Sequence, residues 1–290
     1  MKRGIILAIG AYLLWGLFPL YWKQLQAVPA REIVAHRVIW SLVFLCIVII
    51  LGKGIYKAVK VFLDRKNLAI YACSAALLAV NWLTYIWAVN SGYIVDASLG
   101  YFINPLVSVF LGVIFFREHL RPMQWIAILL ATVGVGYLTI RYGALPWIGL
   151  VLAFTFGTYG LIKKLAPLEA LEGQTIEMAL LTVPALFFLL HLEANHTASF
   201  GHVGFVPTLL LILGGAVTAT PLLMFSAAAR RIPLSMIGIL QYLAPTLQFS
   251  IGVWVYGENF PIYRLIGFSF VWSALVIYTI EGLYQRQKTK

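Results

Sequence analysis

Ten stretches of this chain are almost continuously apolar: 4–22, 33–52, 68–90, 95–116, 122–140, 145–162, 174–192, 206–229, 233–256 and 261–284. No other feature limits the fold so strongly. About 20 mostly apolar residues suffice for a helix to cross the hydrocarbon core of a bilayer. Within that core every backbone amide needs a partner inside the protein, so only helices and closed barrels span it. Barrel strands alternate in polarity over about ten residues, and these runs do not alternate. The reading is an all-α integral membrane protein with ten transmembrane helices. Composition closes the alternative of a water-soluble globule. Of 290 residues 62% are hydrophobic and 11% charged, against about a quarter charged in a soluble domain.

The net charge of +11 would point to nucleic acid in a soluble protein. Here the basic residues fall between apolar runs, and no nucleic-acid partner is implied. Lys2 and Arg3 precede the first run, and Lys53, Lys57, Lys60, Arg65 and Lys66 follow the second. Arg117 and Arg121 follow the fourth run, Lys163 and Lys164 close the sixth, Arg230 and Arg231 follow the eighth, and Arg286, Lys288 and Lys290 follow the tenth. These are alternate connections, hence one side, and the positive-inside rule makes that side cytoplasmic. Both termini are then expected on the cytoplasmic side of the membrane. The loop after the first run, with Lys23, Arg31 and Arg37, is the exception. That first run is too long for a signal-peptide core and no small-residue cleavage site follows it, so it reads as an uncleaved helix. Cys46 and Cys73 lie in apolar runs and read as core filler, with neither disulfide nor metal implied.

The chain also matches itself at a constant shift of 140 residues. Pro105 falls on Pro245, Gly112-Val113 on Gly252-Val253, Glu118 on Glu258, Thr139-Ile140 on Thr279-Ile280, Glu32 on Glu172 and Lys23 on Lys163. Two five-helix units, 1–141 and 142–290, fill the chain as one functional unit. Five is odd, so the second unit enters the membrane from the opposite side and the units are inverted repeats. That architecture is common in secondary transporters, where exchanging poses between halves exposes a midplane site to each side in turn. The alternative is a duplicated bundle with no moving parts.

Polar groups in lipid-spanning helices mark cavities or interhelical contacts. Run three carries Asn81 and Tyr85 on one face. Run four carries Tyr101, Asn104, Pro105 and Ser108 as one stripe, and run nine mirrors it with Gln241, Pro245 and Gln248, with Tyr242 beside them. Matched mid-helix prolines free a carbonyl and bend the helix in each half. These stripes, with Trp15 and Tyr159 as further walls, are the candidate substrate cavity. The competing reading is helix-to-helix glue and an aromatic belt.

Glu32, His36 and Arg37 open run two at its outer end, and Glu177 occupies the position equivalent to Arg37. Inversion puts Arg37 and Glu177 at opposite faces, roughly 20 Å apart at helical rise. Asp96 is the expected partner for Arg37. Glu32, His36, Arg37, Asp96 and Glu177 are candidates for gating or coupling, and the groups at the outer end are also read as an anchor for an anionic group. Proton coupling is left open, as is interfacial snorkelling. Glu118 and Glu258 read as helix-end or hinge residues. No phosphate loop, metal-ligand cluster or nucleophile elbow is present, so no enzyme activity, cofactor or built-in ATPase is expected.

The string Glu32-Ile33-Val34-Ala35-His36-Arg37-Val38-Ile39-Trp40-Ser41 resembles the RarD-type permeases of the EamA family, in the drug/metabolite transporter superfamily. So do Asn81-Trp82, Ile86-Trp87-Ala88-Val89-Asn90, Ala97-Ser98-Leu99-Gly100-Tyr101-Phe102-Ile103-Asn104-Pro105-Leu106, Gln241-Tyr242, Pro245-Thr246-Leu247 and Tyr256-Gly257-Glu258. One departure is Arg117-Glu118, where the first half of such proteins often has Gly-Glu. The resemblance implies a bacterial inner-membrane permease of ten helices, with a central cavity lined by helices one to four and six to nine. It links the type to chloramphenicol and implies no particular physiological substrate. The resulting expectation is a small-metabolite or drug permease working by alternating access in the direction of export. Its partners are a small-molecule substrate and membrane lipids, and a homodimer is left open. The alternatives are a lipid-precursor translocator, marked by a side-open groove with an apolar floor, and a non-transporting scaffold or sensor, marked by a packed bundle whose polar stripes bond to each other.

Overall fold

The computed structural model describes residues 1–51, 65–90, 94–143, 147–257 and 262–288. Lys53, Lys57, Lys60, Glu258 and Lys290 lie outside the described residues, as do the side chains of Asn90, Asp96 and Ser98. The helices are α1 Lys2–Trp22, α2 Ala30–Leu51, α3 Arg65–Asn90, α4 Ile94–Phe116, α5 Pro122–Tyr142, α6 Trp147–Leu165, α7 Ala170–Ala194, α8 Phe205–Ala229, α9 Leu234–Gln241, α10 Leu243–Trp254 and α11 Ile262–Lys288. Each of the ten apolar runs has become one helix except run nine, which is divided between α9 and α10. Among the described residues nine spans are long and apolar enough to cross a membrane, and Gly100–Phe116 within α4 is a shorter apolar helix. The fold is that of an all-α membrane protein.

The division of run nine has a local cause. Pro245 has no N–H for the carbonyl of Gln241, and its ring crowds that carbonyl. One residue on, the Tyr242 N–H turns to the Ile239 carbonyl at 3.3 Å, three residues back instead of four, and the helix tightens there. Pro105 does not divide α4, which runs through it.

The helices pack pairwise: α1 on α8 and α10, α2 on α7 and α8, α3 on α6 and α7, α4 on α6 and α9, and α5 on α11. Small residues set the closest crossings, as is usual where lipid leaves packing as the main attraction between helices. A Cβ on Gly215 would fall 2.2 Å from the Trp40 backbone, and one on Gly238 would fall 2.4 Å from the Pro105 carbonyl oxygen. Ser41 reinforces the first crossing by donating to the Gly215 carbonyl at 3.0 Å.

Large apolar side chains remain on the outside along the spans, among them Ile47, Phe187, Ile140 and Ile280, as a lipid-facing surface requires. Cys46 and Cys73 are also exposed. This corrects their reading as core filler, because apolar periodicity in a membrane helix does not distinguish the lipid face from the core.

The start of α1 and the end of α11 lie at one end of the bundle. Gly4 packs against Arg231 and Ile232 in the α8–α9 connection, and Arg121 before α5 forms an ion pair with Glu281 near the end of α11 at 2.5 Å.

Candidate functional site

A cavity of about 330 Å³ opens among α1, α2, α3, α4, α6, α8 and the α9–α10 segment. Most of its lining belongs to the halves of those helices away from the termini. Tyr12 and Phe156 lie near the middle of α1 and α6, and Gln241 lies at the α9–α10 junction, near the middle of that span. The cavity thus reaches from about the midplane toward the end opposite the termini.

The floor is aromatic. Trp15 meets Phe156 edge-on with ring centroids 5.7 Å apart, and Phe225 lies behind both at 5.7 Å and 5.1 Å. The walls carry amides. Asn81 donates to the Leu152 carbonyl and to Thr155 Oγ1, each at 2.9 Å. Gln248 donates to the Trp15 carbonyl at 2.9 Å. That carbonyl is free because Pro19, four residues on, has no N–H to offer it. Asn104 and Gln241 are buried, and their side-chain oxygens have no hydrogen-bond partner. Tyr85 and Tyr101 stand edge to face at 6.0 Å on the wall above them.

Arg37 is the one charged residue among the described residues of the lining. Its Nε donates to Thr218 Oγ1 at 2.9 Å. Its guanidinium carbon lies 4.8 Å from the Trp22 ring centroid and 4.9 Å from that of Trp82, so two indole faces hold the cation. Among the described residues no carboxylate pairs with it. The expected partner Asp96 lies outside the described side chains.

Of the residues expected to form a cavity, Trp15, Asn81, Tyr85, Tyr101, Asn104, Gln241, Pro245 and Gln248 are gathered on it. Tyr159 and Tyr242 are not. Tyr159 is fully buried below the floor, stacked on Phe225 at 6.1 Å. Tyr242 is fully buried and points toward α4, donating to the Phe102 carbonyl at 3.1 Å. Both positions are corrections. A tyrosine stripe shows polarity along a helix, and rotation by one residue takes it off the cavity and into a helix contact. Tyr12, Trp22, Phe156 and Thr218 line the cavity without having been singled out. For Thr218, a hydroxyl three residues before Pro221 in an apolar run was the available signal.

Glu32 and His36 belong to a different device. Glu32 Oε1 accepts the backbone N–H groups of Ser199 and Phe200 at 2.7 Å and 3.1 Å, and His36 stacks on Phe200 at 4.7 Å. Together they pin the α7–α8 connection over the start of α2.

Below the floor lies a buried polar cluster. Glu177 accepts from Ser74 Oγ at 2.5 Å, Tyr159 OH at 3.1 Å and Lys163 Nζ at 2.9 Å. Lys163 and Glu177 are 3% and 0% exposed. Tyr71 beside them accepts the Leu168 N–H at 3.0 Å. At the end of the bundle near the termini, Glu118 holds the N–H groups of Leu234 and Ser235 at 2.6 Å and 2.9 Å. Lys164 donates to the Ile232 carbonyl at 2.6 Å, and Arg230 bonds the carbonyls of Ala166 and Leu168. Several of these bonds join residues before 141 to residues after it. No group of three or more His, Cys, Asp or Glu suited to a metal occurs among the described residues.

Residues 2–140 match the EamA-like transporter family, a segment that ends where the first five helices end. A protein named RarD from Streptomyces exfoliatus is 44% identical, with 100% of this chain and 92% of that protein covered. A protein of Pseudomonas aeruginosa named as an uncharacterized transporter is 42% identical over 97% of this chain and 95% of its own. A solved crystal structure shares the fold with a TM-score of 0.72 at 16% identity, covering 96% of this chain and 98% of that one.

Proposed function

Since this chain belongs to the EamA-like transporter family, we propose that it is a secondary permease carrying a small metabolite or drug through the cavity around Trp15, Asn104 and Gln241 by alternating access. Membrane transport follows from the family. The cavity as its route, and the movement, are our reading. One observation supports it above others: a cavity that reaches the midplane from one end, above a floor and polar cluster that tie 1–141 to 142–290 at the other end.

The packing fits two exchanging units. Under a shift of 140 residues α1 on α8 exchanges with α6 on α3, and α1 on α10 with α6 on α4. If the units swap poses, contacts such as Glu118 with α9 and Ser74 with Glu177 break, and the cavity opens at the end near the termini. That end is assigned to the cytoplasm by its basic connections, which makes the present form outward-facing. A space of about 330 Å³ with amides on its walls suits a small solute better than a lipid chain.

The test is single-cysteine labelling in a variant lacking Cys46 and Cys73. Gln241→Cys should react with an impermeant thiol reagent added outside, and Ser226→Cys, below the floor, should not. Adding Glu177→Ala or Glu118→Ala should make Ser226→Cys reactive from the cytoplasmic side. A Gln241→Cys inert in every state would remove the cavity as the route. Flux into and out of proteoliposomes, with and without a pH gradient and with chloramphenicol among the solutes, reads export against uptake and proton coupling.

A further inference from the structure

The substrate class can be taken further, resting on the reading of this cavity as the transport route. Arg37 has donors to spare. Thr218 engages Nε alone, and the cation otherwise lies over the Trp22 and Trp82 rings, which are not hydrogen-bond partners of the carboxylate kind. The described lining holds no acidic residue to neutralise it. A cation at membrane depth persists cheaply only beside a counter-charge or water, and a guanidinium edge is shaped to receive a carboxylate or another oxyanion through paired, charge-assisted bonds. Contact with Trp22, Trp82 and Thr218 restrains the group before a ligand arrives, which lowers the ordering cost of binding. The amides of Asn104 and Gln241 carry donors as well as acceptors, so they orient a ligand without choosing its charge. The floor of Trp15 and Phe156 receives a flat apolar body.

We propose that the cavity binds small organic anions, with the acidic group on Arg37 and an aromatic or apolar body on the Trp15–Phe156 floor. The competing role for Arg37 is structural, as a cation that only bridges Trp22, Trp82 and Thr218. In that role it would be indifferent to ligand charge.

Three probes that share a phenyl body separate these roles: 3-phenylpropionate, its isostere 3-phenylpropionamide, and 3-phenylpropylammonium. Each is titrated against the purified full-length chain in nanodiscs, read by tryptophan fluorescence and by thermal shift. The carboxylate should bind at least ~10-fold more tightly than the amide, as a hydrogen-bonded charge pair warrants, and the ammonium should bind most weakly. Arg37→Gln should bring the carboxylate-to-amide ratio to about one, and Arg37→Lys should keep part of it, because a point charge without the planar fork remains. Equal binding of carboxylate and amide by the unaltered chain overturns the proposal, even where Arg37→Gln fails to fold. So does a preference that survives in a folded Arg37→Gln. In both cases the cavity reading stands. Filling the cavity with Ala244→Phe should abolish binding of all three probes. Charge-selective binding that ignores Ala244→Phe, or no binding by any probe, overturns the cavity reading and this proposal with it.

Discussion

Lys163 and Glu177 show what a charged residue needs in order to stay inside such a bundle. The carboxylate is satisfied on both oxygens by Ser74, Tyr159 and Lys163. The lysine has two aromatic faces nearby, with Nζ 5.5 Å and 5.6 Å from the ring centroids of Tyr71 and Tyr159. Breaking such a pair from one side leaves a bare buried charge, at a cost of about 3–5 kcal/mol, whereas replacing both members by apolar side chains is often neutral. Lys163→Met should therefore lower the melting temperature of the purified protein sharply, and Lys163→Met with Glu177→Leu should recover most of the loss. Equal damage from the single and double variants, measured by fluorescence-detected unfolding, would mean that the pair is not the source of the instability. The double variant should also lose transport if the cluster gates the inner end, and that loss would separate gating from stability.

Among the elements, α9 depends most on its neighbours. It has eight residues, too few to be stable alone. Pro245 interrupts its continuation, and Pro233 precedes it. Its first N–H groups have no acceptor within the helix, and Glu118 from the end of α4 supplies one oxygen each to Leu234 and Ser235. A negative group at that end also complements the helix dipole. Glu118→Ala should destabilise the protein by about 1 kcal/mol or more, as loss of an N-cap does, and Glu118→Gln by less, since its amide oxygen still accepts. Hydrogen exchange gives the local test: amides at 234–238 should exchange faster in Glu118→Ala while those of α7 are unchanged. Unaltered protection at 234–238 would show that α9 is held by packing alone.

At the scale of the whole molecule, orientation is the testable property. The end with the termini carries Arg121, Lys163, Lys164, Arg230 and Arg231 in or beside its described connections. A reporter fused after Lys290 should read cytoplasmic, and one inserted in 193–205 should read external. A cytoplasmic 193–205 insertion would reverse the charge argument and turn the present form inward-facing.

The ten spans were legible because burial in hydrocarbon is decided residue by residue: a continuous apolar run of membrane length has few other places to go. Helix bounds therefore match the apolar runs within a few residues, even where propensity is poor, as at Pro105 and Pro184. Most of the amide and aromatic stripes were legible for a related reason, since an unpaired amide is costly in lipid and must face a cavity or a partner. What the stripes could not give was rotation and pairing. Tyr159 and Tyr242 are as polar as Tyr85 and Tyr101, yet the first two are sealed in helix contacts. Arg37 looked for a carboxylate and, among the described residues, has two indoles and a threonine from a helix about 180 positions away. Cys46 and Cys73 face outward. In a membrane both faces of a helix are apolar, so hydrophobicity fixes that a segment crosses but carries little information on which way it turns. The azimuth of each helix is settled by close crossings such as Gly215 on Trp40 and Gly238 on Pro105, and by hydrogen bonds between distant residues, which exist only once the bundle has assembled.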